Sequence, residues 1–576
     1  MKNAEIAEIF NNIADILEIT EENRFRIRAY RNAALALEGL TEDVEAVAKR
    51  KELEDLPGIG KDLAGKIAEY VESGRMKFYE DLKKSVPGPV LKLMGVPGIG
   101  PRTAKLLCEK FKIKSVKELE KKASSGKIKN IFGIKEKTVA NILRGIDFLK
   151  KSEGKITLDR ASGISREIAA ALKKVPGTKR VTPAGSLRRM KETVRDIDIL
   201  AASKNADRIM SAFVGLARVK SVVAHGRTKS SVITGDKVQV DLRIVDPENF
   251  GSALLYFTGS KNHNIRLREM AVKKGLKINE YGIFRKKTGK RIAGTGEKGM
   301  YEALGLDYIE PELREDKGEV KLALEGKLPR LVTMADIRGD FHGHSHKSDG
   351  YLKFGDIAGI AAEKGYEYIT ITDHSKSLKV AGGLSEKELL KSVEEIRKLN
   401  RKLSRRSRKA VRVLAGSEVD ILSDGSLDYP DSVLKELDFV IGAIHTGFKQ
   451  PRDVITKRVL KAMDNKYVNM IAHPTGRLIG IREAYEIDLE RIFKAAKETN
   501  TALEINSYPE RLDLTDDACR RAKELGAPLA IGTDSHQREH FGNMLFGVSV
   551  ARRGWLEKKN LLNTLPLDKL LKKIRK

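Results

Sequence analysis

The sequence predicts a multidomain protein with an all-α N-terminal region, an α+β middle part and an α/β C-terminal part. The chain has 576 residues, too many for one hydrophobic core, because a domain usually holds roughly 100–200 residues. Apolar residues recur at helical spacing at the start of the chain, and form short strands between helices after residue 155. From residue 335 onward, repeated strand–helix units predict a parallel barrel or sheet.

A glycine-containing phrase is repeated among the N-terminal helices. Residues 56–74 read LPGIGKDLAGKIAEYVESG, residues 96–111 read VPGIGPRTAKLLCEKF, and residues 131–143 hold a weaker copy, IFGIKEKTVANIL. Glycine allows a tight turn, and the helix that follows presents its first N–H groups to an anion. These features are those of helix-hairpin-helix modules, which hold DNA phosphates without reading the base sequence. The alternative is an ordinary packing joint between two helices. The glycines expected to contact DNA are Gly58, Gly60, Gly98 and Gly100.

Basic residues are concentrated in one part of the chain. The net charge is +29, and residues 101–300 hold 46 Lys and Arg against 19 Asp and Glu, so the remainder is close to neutral. Concentrated positive charge attracts polyanions through the release of their counterions. Adaptation to heat would raise the acidic content as well and would not cluster the charge. The distribution therefore favours a nucleic acid as the partner.

Targeting and redox signals indicate a cytoplasmic protein without a membrane partner. No apolar run approaches the ~18 residues that a membrane span needs. The N-terminus lacks the basic start and apolar core of a signal peptide. The only cysteines, Cys108 and Cys519, form no CxxC pair, which fits a reducing compartment. We expect a monomer.

Three aspartates in predicted strands suggest a metal site. Asp196 and Asp198 stand at i and i+2 of one strand, so their side chains share a face, and Asp241 lies in the strand VQVDLRIV. Converging carboxylates are costly unless a cation neutralises them, and oxygen ligands suit Mg²⁺ or Mn²⁺. Two such ions can stabilise the attacking and the leaving oxygen of a phosphoryl transfer. The alternative is a pair of surface acids at a strand edge.

A glycine–serine turn lies upstream of these aspartates. Gly185 and Ser186 precede a helix whose N–H groups would hold a triphosphate, and Arg189 would neutralise developing charge. Together with the phrase LYFTGSKNHNIRLRE at residues 255–269, these motifs resemble the nucleotidyltransferases of the family X DNA polymerases, such as DNA polymerase beta. The resemblance implies a palm and thumb of that type, with Asp196, Asp198 and Asp241 as its catalytic metal ligands.

The same resemblance implies roles for the residues of the YFTGS phrase. Tyr256, Phe257 and Gly259 would line the deoxyribose side of a bound nucleotide. Asn264 would contact the base edge or the minor groove, and Arg268 would lie on the template side.

The chain departs from the family pattern near the nucleotide. Arg195 stands where the family usually has a small residue, often glycine, and Lys261 replaces an acidic residue of the animal enzyme. Arg195 leaves open how the site handles nucleotides.

The N-terminal region resembles the small lyase-type domain of the same family. IRAYRNAA and LPGIGKDLAGKI match its phosphate-binding and helix-hairpin-helix elements, and Lys66 falls at the position of the Schiff-base lysine. Such an amine could attack an abasic sugar. Asp62, however, occupies a position that is basic in the animal enzyme, which weakens the expectation of 5′-phosphate binding. A plain helix lysine that touches DNA is the alternative for Lys66.

Histidines point to a second metal centre. Of ten histidines, eight lie between residues 342 and 540, in the motifs DFHGHSHKSDG, ITDHS, IGAIHTGF, IAHPTG and GTDSH. Imidazole and carboxylate ligands together suit Zn²⁺, Mn²⁺ or Fe²⁺, and barrels keep their active sites at the carboxyl ends of their strands. A single buried histidine would instead be structural, but so many at strand ends favour a metal site.

These motifs resemble the PHP (polymerase and histidinol phosphatase) domain, a distorted (βα)7-type barrel with a two- or three-metal phosphoesterase centre. In bacterial and archaeal family X polymerases this domain implies a metal-dependent 3′→5′ exonuclease, with abasic-site endonuclease or 3′-phosphatase action as further options. The ligands implied by the motifs are His342, His344, Asp349, His374, Glu418, His445, His473, Asp534 and His536. His346, His540, Asp373 and His225 stay unassigned.

The resemblance covers essentially the whole chain and divides it into six segments. These are a helical lyase-like DNA-binding domain (1–90), a fingers-like region (91–154), the palm (155–250), a thumb-like nucleotide-binding subdomain (251–315), a linker (316–334) and the PHP domain (335–576).

We interpret the chain as a DNA-directed DNA polymerase that fills short gaps in repair, using DNA and dNTPs, with a nuclease on its barrel. A second interpretation makes the PHP nuclease the principal enzyme and the polymerase half a DNA-binding platform. A third, a phosphatase for a small metabolite, fits the basic region poorly.

Overall fold

The computed structural model describes residues 2–574, apart from residues 21, 39, 41–42, 57, 97–98, 129–133, 135 and 408–409. Gly98 and the start of the third glycine phrase therefore lie outside the described residues. Among the residues that are described, no helix is both long and apolar enough to cross a membrane.

The N-terminal part is helical, as the apolar spacing predicts. Its helices are α1 (Lys2–Ile19), α2 (Arg24–Glu38), α3 (Val44–Lys49), α4 (Lys61–Ser73), α5 (Lys77–Lys84), α6 (Gly88–Met94), α7 (Pro101–Phe111), α8 (Val116–Ser124) and α9 (Glu136–Ser152). Two apolar cores hold them together, and α1 contributes to both, with Phe10 in the first and Ile16 in the second. Gly60 and Gly100 stand at the N-caps of α4 and α7, where no side chain caps the helix.

The middle part begins with a five-stranded mixed sheet. Its elements are β1 (Ile156–Thr157), α10 (Leu158–Lys173), β2 (Arg180–Pro183), α11 (Gly185–Arg188), β3 (Thr193–Val194), β4 (Asp196–Ala202), α12 (Ala206–Val214), β5 (Val219–His225), β6 (Lys229–Thr234) and β7 (Gln239–Val245). The strand order is β2-β4-β7-β6-β5, with β4 parallel to β7. Ile197 and Ile199 face the core shared with α10 and α12, so the aspartates that alternate with them project from the opposite face.

A smaller α+β unit follows the sheet. It comprises α13 (Phe250–Thr258), α14 (Lys261–Lys273), β8 (Leu276–Asn279), β9 (Gly282–Arg285), β10 (Arg291–Ala293), α15 (Glu297–Ala303) and α16 (Glu319–Leu324). Residues 316–334, which we expected to be a linker, contain α16, and Val320 and Leu331 pack into the core of this unit together with Trp555 of the C-terminal part. The segment is therefore folded, because its apolar residues are buried between two units.

The C-terminal part is a barrel of seven parallel strands that are neighbours in sequence order, which confirms the expected (βα)7-type architecture. Its elements are β11 (Gly339–Asp340), α17 (Phe354–Glu363), β12 (Tyr368–Ile371), α18 (Glu386–Arg406), β13 (Arg412–Asp420), α19 (Asp431–Leu434), β14 (Phe439–Ala443), α20 (Arg452–Met463), β15 (Val468–Ile471), α21 (Leu489–Thr499), β16 (Ala502–Asn506), α22 (Asp516–Leu525), β17 (Leu529–Gly532), α23 (Met544–Arg553) and α24 (Leu567–Ile574). Large apolar side chains such as Phe341 and Phe439 fill its interior.

Side chains and a short bridge close the gap between the first and last strands. Gly343 and Ser535 form a parallel bridge beyond the carboxyl ends of β11 and β17. At the other end, the Asn563 amide donates to the carbonyl oxygens of Gly339 (2.9 Å) and Ile531 (2.8 Å). This closure brings residues after β11 and after β17 to one rim of the barrel.

Candidate active sites

Strand pairing brings the aspartate triad (Asp196, Asp198 and Asp241) together. Asp198 on β4 stands opposite Asp241 on β7, and Asp196 lies two residues earlier on the same face of β4. Burial, with the negative charges of Asp196 and Asp241, raises the pKa of Asp198 to about 6. A carboxyl group in that position is stabilised as a carboxylate by a nearby cation.

Protein groups already satisfy part of the negative charge of the triad. Lys229 Nζ lies 2.9 Å from Asp241 Oδ2, and the Gln239 amide donates to Asp241 Oδ1 at 2.9 Å. Although burial acts in the opposite direction, these contacts lower the pKa of Asp241. The triad is looser than the groups in the barrel, because it is not among the described sets of ligand atoms that all lie within 4.8 Å of one another.

The turn before α11 needs glycine for a steric reason. Gly185 has φ +59°, and a Cβ there would lie 2.1 Å from Asp198 Oδ2. The backbone between β2 and α11, with Ser186 in its first turn, therefore reaches the triad closely enough for a phosphate to touch both.

Arg189 is held beside the same turn. Its Nε donates to Glu315 Oε1 at 3.0 Å, and its Nη1 donates to the Thr258 carbonyl at 2.6 Å. It also lies close enough to Asp198 to favour the charged form of that carboxyl group. Arg195, by contrast, is exposed at the start of β4.

The predicted nucleotide-contacting residues gather on α13 and α14. Tyr256, Asn264 and Arg268 line one cleft, in which the Asn264 amide donates to the Tyr256 carbonyl at 2.7 Å and Arg268 Nε donates to the Asn264 carbonyl at 3.2 Å. Phe257 packs under the Arg243 guanidinium, 4.6 Å from the ring centroid. Gly259, with φ +69°, ends α13 and turns the chain toward α14.

The predicted DNA contacts lie at two separate helix starts. Gly58 has φ +78°, and a side chain at Gly60 or Gly100 would meet open space, so the backbone at both turns is accessible.

Lys66 is engaged with neighbouring side chains. Its ammonium pairs with Asp62 one turn earlier on α4 and lies 5.1 Å from the centroid of the Phe78 ring. The lyase role of Lys66 stays a prediction.

The barrel gathers the second set of predicted ligands at its carboxyl rim. Three groups of side chains have ligand atoms within 4.8 Å of one another. The groups are His344–Asp349–His374–His536, His342–His344–Asp534 and His374–Glu418–His445. The ninth predicted ligand, His473, lies with its Nε2 3.0 Å from Glu418 Oε1. We call these nine residues the histidine-rich cluster.

Glu418 stands at the centre of this cluster. Its Oε2 lies 3.0 Å from His374 Nδ1 and 3.4 Å from His342 Nε2. Its Oε1 lies 3.4 Å from His445 Nε2 and 3.0 Å from His473 Nε2. Both oxygens of this carboxylate are therefore surrounded by imidazoles.

Two more carboxylates complete the arrangement. Asp349 Oδ2 lies 3.4 Å from His374 Nε2 and 3.3 Å from His536 Nε2. Asp534 Oδ1 lies 3.2 Å from His344 Nε2. His344 and His374 each belong to two of the three groups, so the groups adjoin one another.

The donor atoms fit metal ions. The buried Nδ1 atoms of His344 and His473 have no hydrogen-bond partner, and an unsatisfied buried group of this kind calls for an ion or water. Burial and the neighbouring imidazoles lower the pKa of His344 to about 4; burial and Arg511 lower that of His473 to about 3. A lowered pKa favours the neutral imidazole, which is the form that binds metal.

Sequence reasoning missed the acids behind the histidines. Glu504 Oε1 lies 2.7 Å from His342 Nδ1, and Asp420 Oδ1 lies 2.5 Å from His445 Nδ1. Asp373, left unassigned, accepts from the backbone N–H of Ser345 at 2.8 Å and from its hydroxyl at 2.7 Å. Carboxylates behind metal-binding histidines fix the ring orientation. For Asp420 the sequence held a usable signal, because this residue follows Glu418 at i+2 on β13 and their side chains therefore share one face of the strand.

The remaining histidines belong to none of the ligand groups, although His540 Nδ1 accepts from the backbone N–H of His536 at 3.4 Å. His346 is exposed, and His540 contacts the Gln537 amide at 3.0 Å. His225 is exposed and lies 3.0 Å from the Ser230 hydroxyl.

Four family models match the chain. They are a helix-hairpin-helix domain (1–76), a SAM-like helix-hairpin-helix tandem (90–147), the DNA polymerase beta thumb (253–315) and the PHP domain (340–508).

One curated relative covers the whole chain. The DNA polymerase/3′-5′ exonuclease PolX of Bacillus subtilis is 38% identical over 98% of this chain and 98% of its own length. The chain belongs to the PolX family. It is a family X DNA polymerase chain with a C-terminal PHP domain, and the match across both parts confirms the resemblance stated from the motifs.

Partial relatives match individual parts of this PolX chain. A probable phosphatase of Thermoanaerobacter sp. strain X514 is 31% identical over 39% of the chain and 89% of its own length. The polymerase beta of Leishmania infantum, solved as a ternary P/T complex, matches 39% of the chain and 99% of its own chain, with 23% identity and a TM-score of 0.27.

Proposed function

We propose that this PolX chain fills short gaps in DNA during repair and trims 3′ ends with its PHP barrel. The proposal rests on the presence of the aspartate triad and the histidine-rich cluster in one chain, whose full-length relative is named a polymerase and 3′-5′ exonuclease. The platform interpretation, with an inactive polymerase half, is not favoured because the aspartate triad and the Gly185 turn are both intact.

In the polymerase half, the aspartate triad holds two Mg²⁺ or Mn²⁺ ions, which supply charge stabilisation for the attacking and leaving oxygens. The Gly185–Ser186 turn and Arg189 bind the triphosphate of a dNTP. Tyr256, Phe257 and Gly259 line its sugar, Asn264 faces the base edge, and Arg268 faces the template. Lys229, which pairs with Asp241 at 2.9 Å, would share that carboxylate with a bound cation.

In the barrel, the histidine-rich cluster holds two or three Zn²⁺, Mn²⁺ or Fe²⁺ ions, which supply an activated water for hydrolysis of a phosphodiester. Glu504 and Asp420 contact Nδ1 of His342 and His445, which would leave Nε2 of each ring available as a ligand atom. The same hydrolytic chemistry would serve an abasic-site endonuclease or a 3′-phosphatase.

We assign the segments accordingly. The proposed division is a lyase-like DNA-binding domain (1–90), a fingers-like helix-hairpin-helix region (91–154), a palm (155–250), a thumb (251–315), a packed connector (316–334) and the PHP domain (335–576). Gly58, Gly60, Gly98 and Gly100 would present backbone N–H groups to DNA phosphates, and Lys66 would serve as the Schiff-base lysine.

A gapped duplex with a 5′-labelled primer tests both activities in one tube. With Mg²⁺ or Mn²⁺ and dNTPs, the primer is expected to lengthen to the end of the gap. Without dNTPs, it is expected to shorten from its 3′ end. A primer that never lengthens under any metal would support the platform interpretation, and release of phosphate from small monoesters alone would support the metabolite phosphatase.

A further inference from the structure

Arg553, at the end of helix α23 of the barrel, contacts the turn that carries Arg189 in the polymerase half. The side chain of Arg553 is only 4% exposed. Its Nη1 donates to the backbone carbonyl of Arg189 at 2.8 Å and to Glu315 Oε1 at 3.1 Å. Its Nη2 lies 2.5 Å from Asp516 Oδ2 on α22, which fixes the guanidinium to the barrel.

Glu315 joins this arginine to Arg189. The same oxygen that accepts from Arg553 also accepts from Arg189 Nε at 3.0 Å. Arg189 Nη1 is bound to the Thr258 carbonyl, so neither contact uses Nη2. The side chain of Arg189 is thus fixed at two nitrogens while a third stays available to a phosphate.

A second arginine of the barrel contacts the same segment through the side chain of Glu192. Arg477 lies between β15 and α21, and its Nη2 is 2.7 Å from Glu192 Oε2 and donates to the Leu512 carbonyl. Residues 189–192 link α11 to β3 and the aspartate strand. The barrel therefore contacts both ends of this link, Arg189 and Glu192. The link connects the predicted phosphate-binding turn to the strand that carries the aspartates.

The charges also favour an electrostatic effect on Arg189. A carboxylate paired with Arg189 alone would neutralise the charge of Arg189. Glu315 instead pairs with both Arg189 and Arg553, and Lys191 Nζ lies 3.6 Å from the same oxygen. Three cationic side chains (Arg189, Lys191 and Arg553) thus surround two carboxylates (Glu315 and Asp516). These cationic side chains lie beside the turn where a triphosphate would bind.

We propose that Arg553 and Arg477 of the PHP barrel are positioning residues of the polymerase site, which hold Arg189 and the 189–192 link for nucleotide binding. The inference rests on the proposed function in one respect, the contact of Arg189 with the dNTP triphosphate. It makes the barrel a structural part of the polymerase as well as a nuclease.

Steady-state gap filling by the full-length protein tests the proposal. Arg553→Ala should raise KM for the incoming dNTP about tenfold and change kcat less than about threefold, because a displaced Arg189 would bind the triphosphate more weakly without a change in the metal-binding carboxylates. Trimming of the same primer without dNTPs should stay at the wild-type rate. Arg521→Ala is the matched control, since Arg521 pairs with Glu490 inside the barrel and should leave both activities unchanged.

A double-mutant cycle distinguishes positioning from mere docking. In the Arg189→Ala background, Arg553→Ala should raise KM by less than about twofold, since residues of one network are not additive. Full additivity, or an unchanged KM in the single variant, would overturn the inference while gap filling by the wild-type chain upheld the proposed function. A wild-type chain that does not extend primers would instead contradict the proposed function itself.

A further variant covers the case in which Arg553→Ala does not fold. Arg553→Lys keeps the charge beside Asp516 and one hydrogen bond, so it should fold, trim normally and show about a threefold rise in KM. Arg477→Ala should produce a smaller rise of the same kind. Wild-type KM values in both variants would also overturn the proposal.

Discussion

The two candidate metal sites of this chain differ in how their negative charges are compensated. The aspartate triad is open, uses only oxygen ligands, and relies on Lys229 and Gln239 to satisfy Asp241. The histidine-rich cluster is buried, surrounds Glu418 with imidazoles, and leaves ring nitrogens without partners. The first pattern suits ions that arrive with a nucleotide, because Mg²⁺ is usually held by one or two carboxylates and substrate phosphates. The second suits ions that stay with the protein.

The largest effect should come from removing the central carboxylate of the triad. Asp198→Ala should lower gap filling by at least about 10³-fold, because charge stabilisation by the ions is lost, while 3′ trimming stays at the wild-type rate. Primer extension and trimming on the same duplex measure both. Asp207→Ala, an exposed aspartate on α12, is the matched control, and simultaneous loss of both activities would break the separation of the two sites.

The reverse experiment addresses the barrel. His344→Ala should abolish trimming and lower the bound-metal content of purified protein, because His344 takes part in two of the three ligand groups, while gap filling persists. Metal analysis by mass spectrometry gives a readout that does not depend on activity. His346→Ala, two residues away and exposed, serves as the control. Unchanged metal content in His344→Ala would contradict a resident-ion site.

The polymerase half should also depend on ion pairs for its stability. Although burial acts in the opposite direction, Arg188 and Arg314 lower the pKa of Glu297 to about 2. Glu297 Oε1 accepts from Arg314 at 2.6 Å, and Arg188 lies on α11 beside the triad. A shift of this size from 4.5 corresponds to about 3 kcal/mol.

Because that pKa is lowered on folding, the stabilisation is present above about pH 4.5 and is lost as the pH falls toward about 2. Glu297→Gln should therefore lower the free energy of unfolding at neutral pH, and the difference from wild type should shrink on acidification. Urea unfolding of both proteins at several pH values measures it. A difference independent of pH would show that packing, not charge, holds this contact.

Carboxylates behind the metal ligands should have a graded effect. Glu504→Gln removes the negative charge that holds His342, and we expect about a 10- to 100-fold loss of metal affinity or trimming activity. Gap filling should not change. Competition with a chelator measures the affinity, and wild-type affinity in the variant would limit the role of Glu504 to packing.

The smallest expected effect concerns the N-terminal domain. Asp62→Asn removes the exposed partner of Lys66, and we expect a gain of less than about 1 kcal/mol in binding of a 5′-phosphorylated end. Borohydride trapping on an abasic substrate tests Lys66 itself. No adduct, or an adduct that survives Lys66→Ala, would remove the lyase role from this chain.

Local sequence patterns predicted most of the fold. Apolar spacing predicted the helices at the start of the chain, and the repeated strand–helix units predicted the barrel. For residues 316–334 the polar composition suggested a linker and did not predict that the segment is folded. Val320 and Leu331 are buried there, because two neighbouring units cover them, and no local pattern records that.

The candidate ligand types and their motifs could be predicted from the sequence, since each motif is a short stretch that leaves a strand on one face. Which candidate ligands lie next to one another depends on the tertiary structure, because His342 and Asp534 meet through closure of the barrel between its first and last strands. The contact of Arg553 with Arg189 is of the same kind. It joins residues 364 positions apart, and such pairing depends on how folded units pack, a property of surfaces rather than of local sequence.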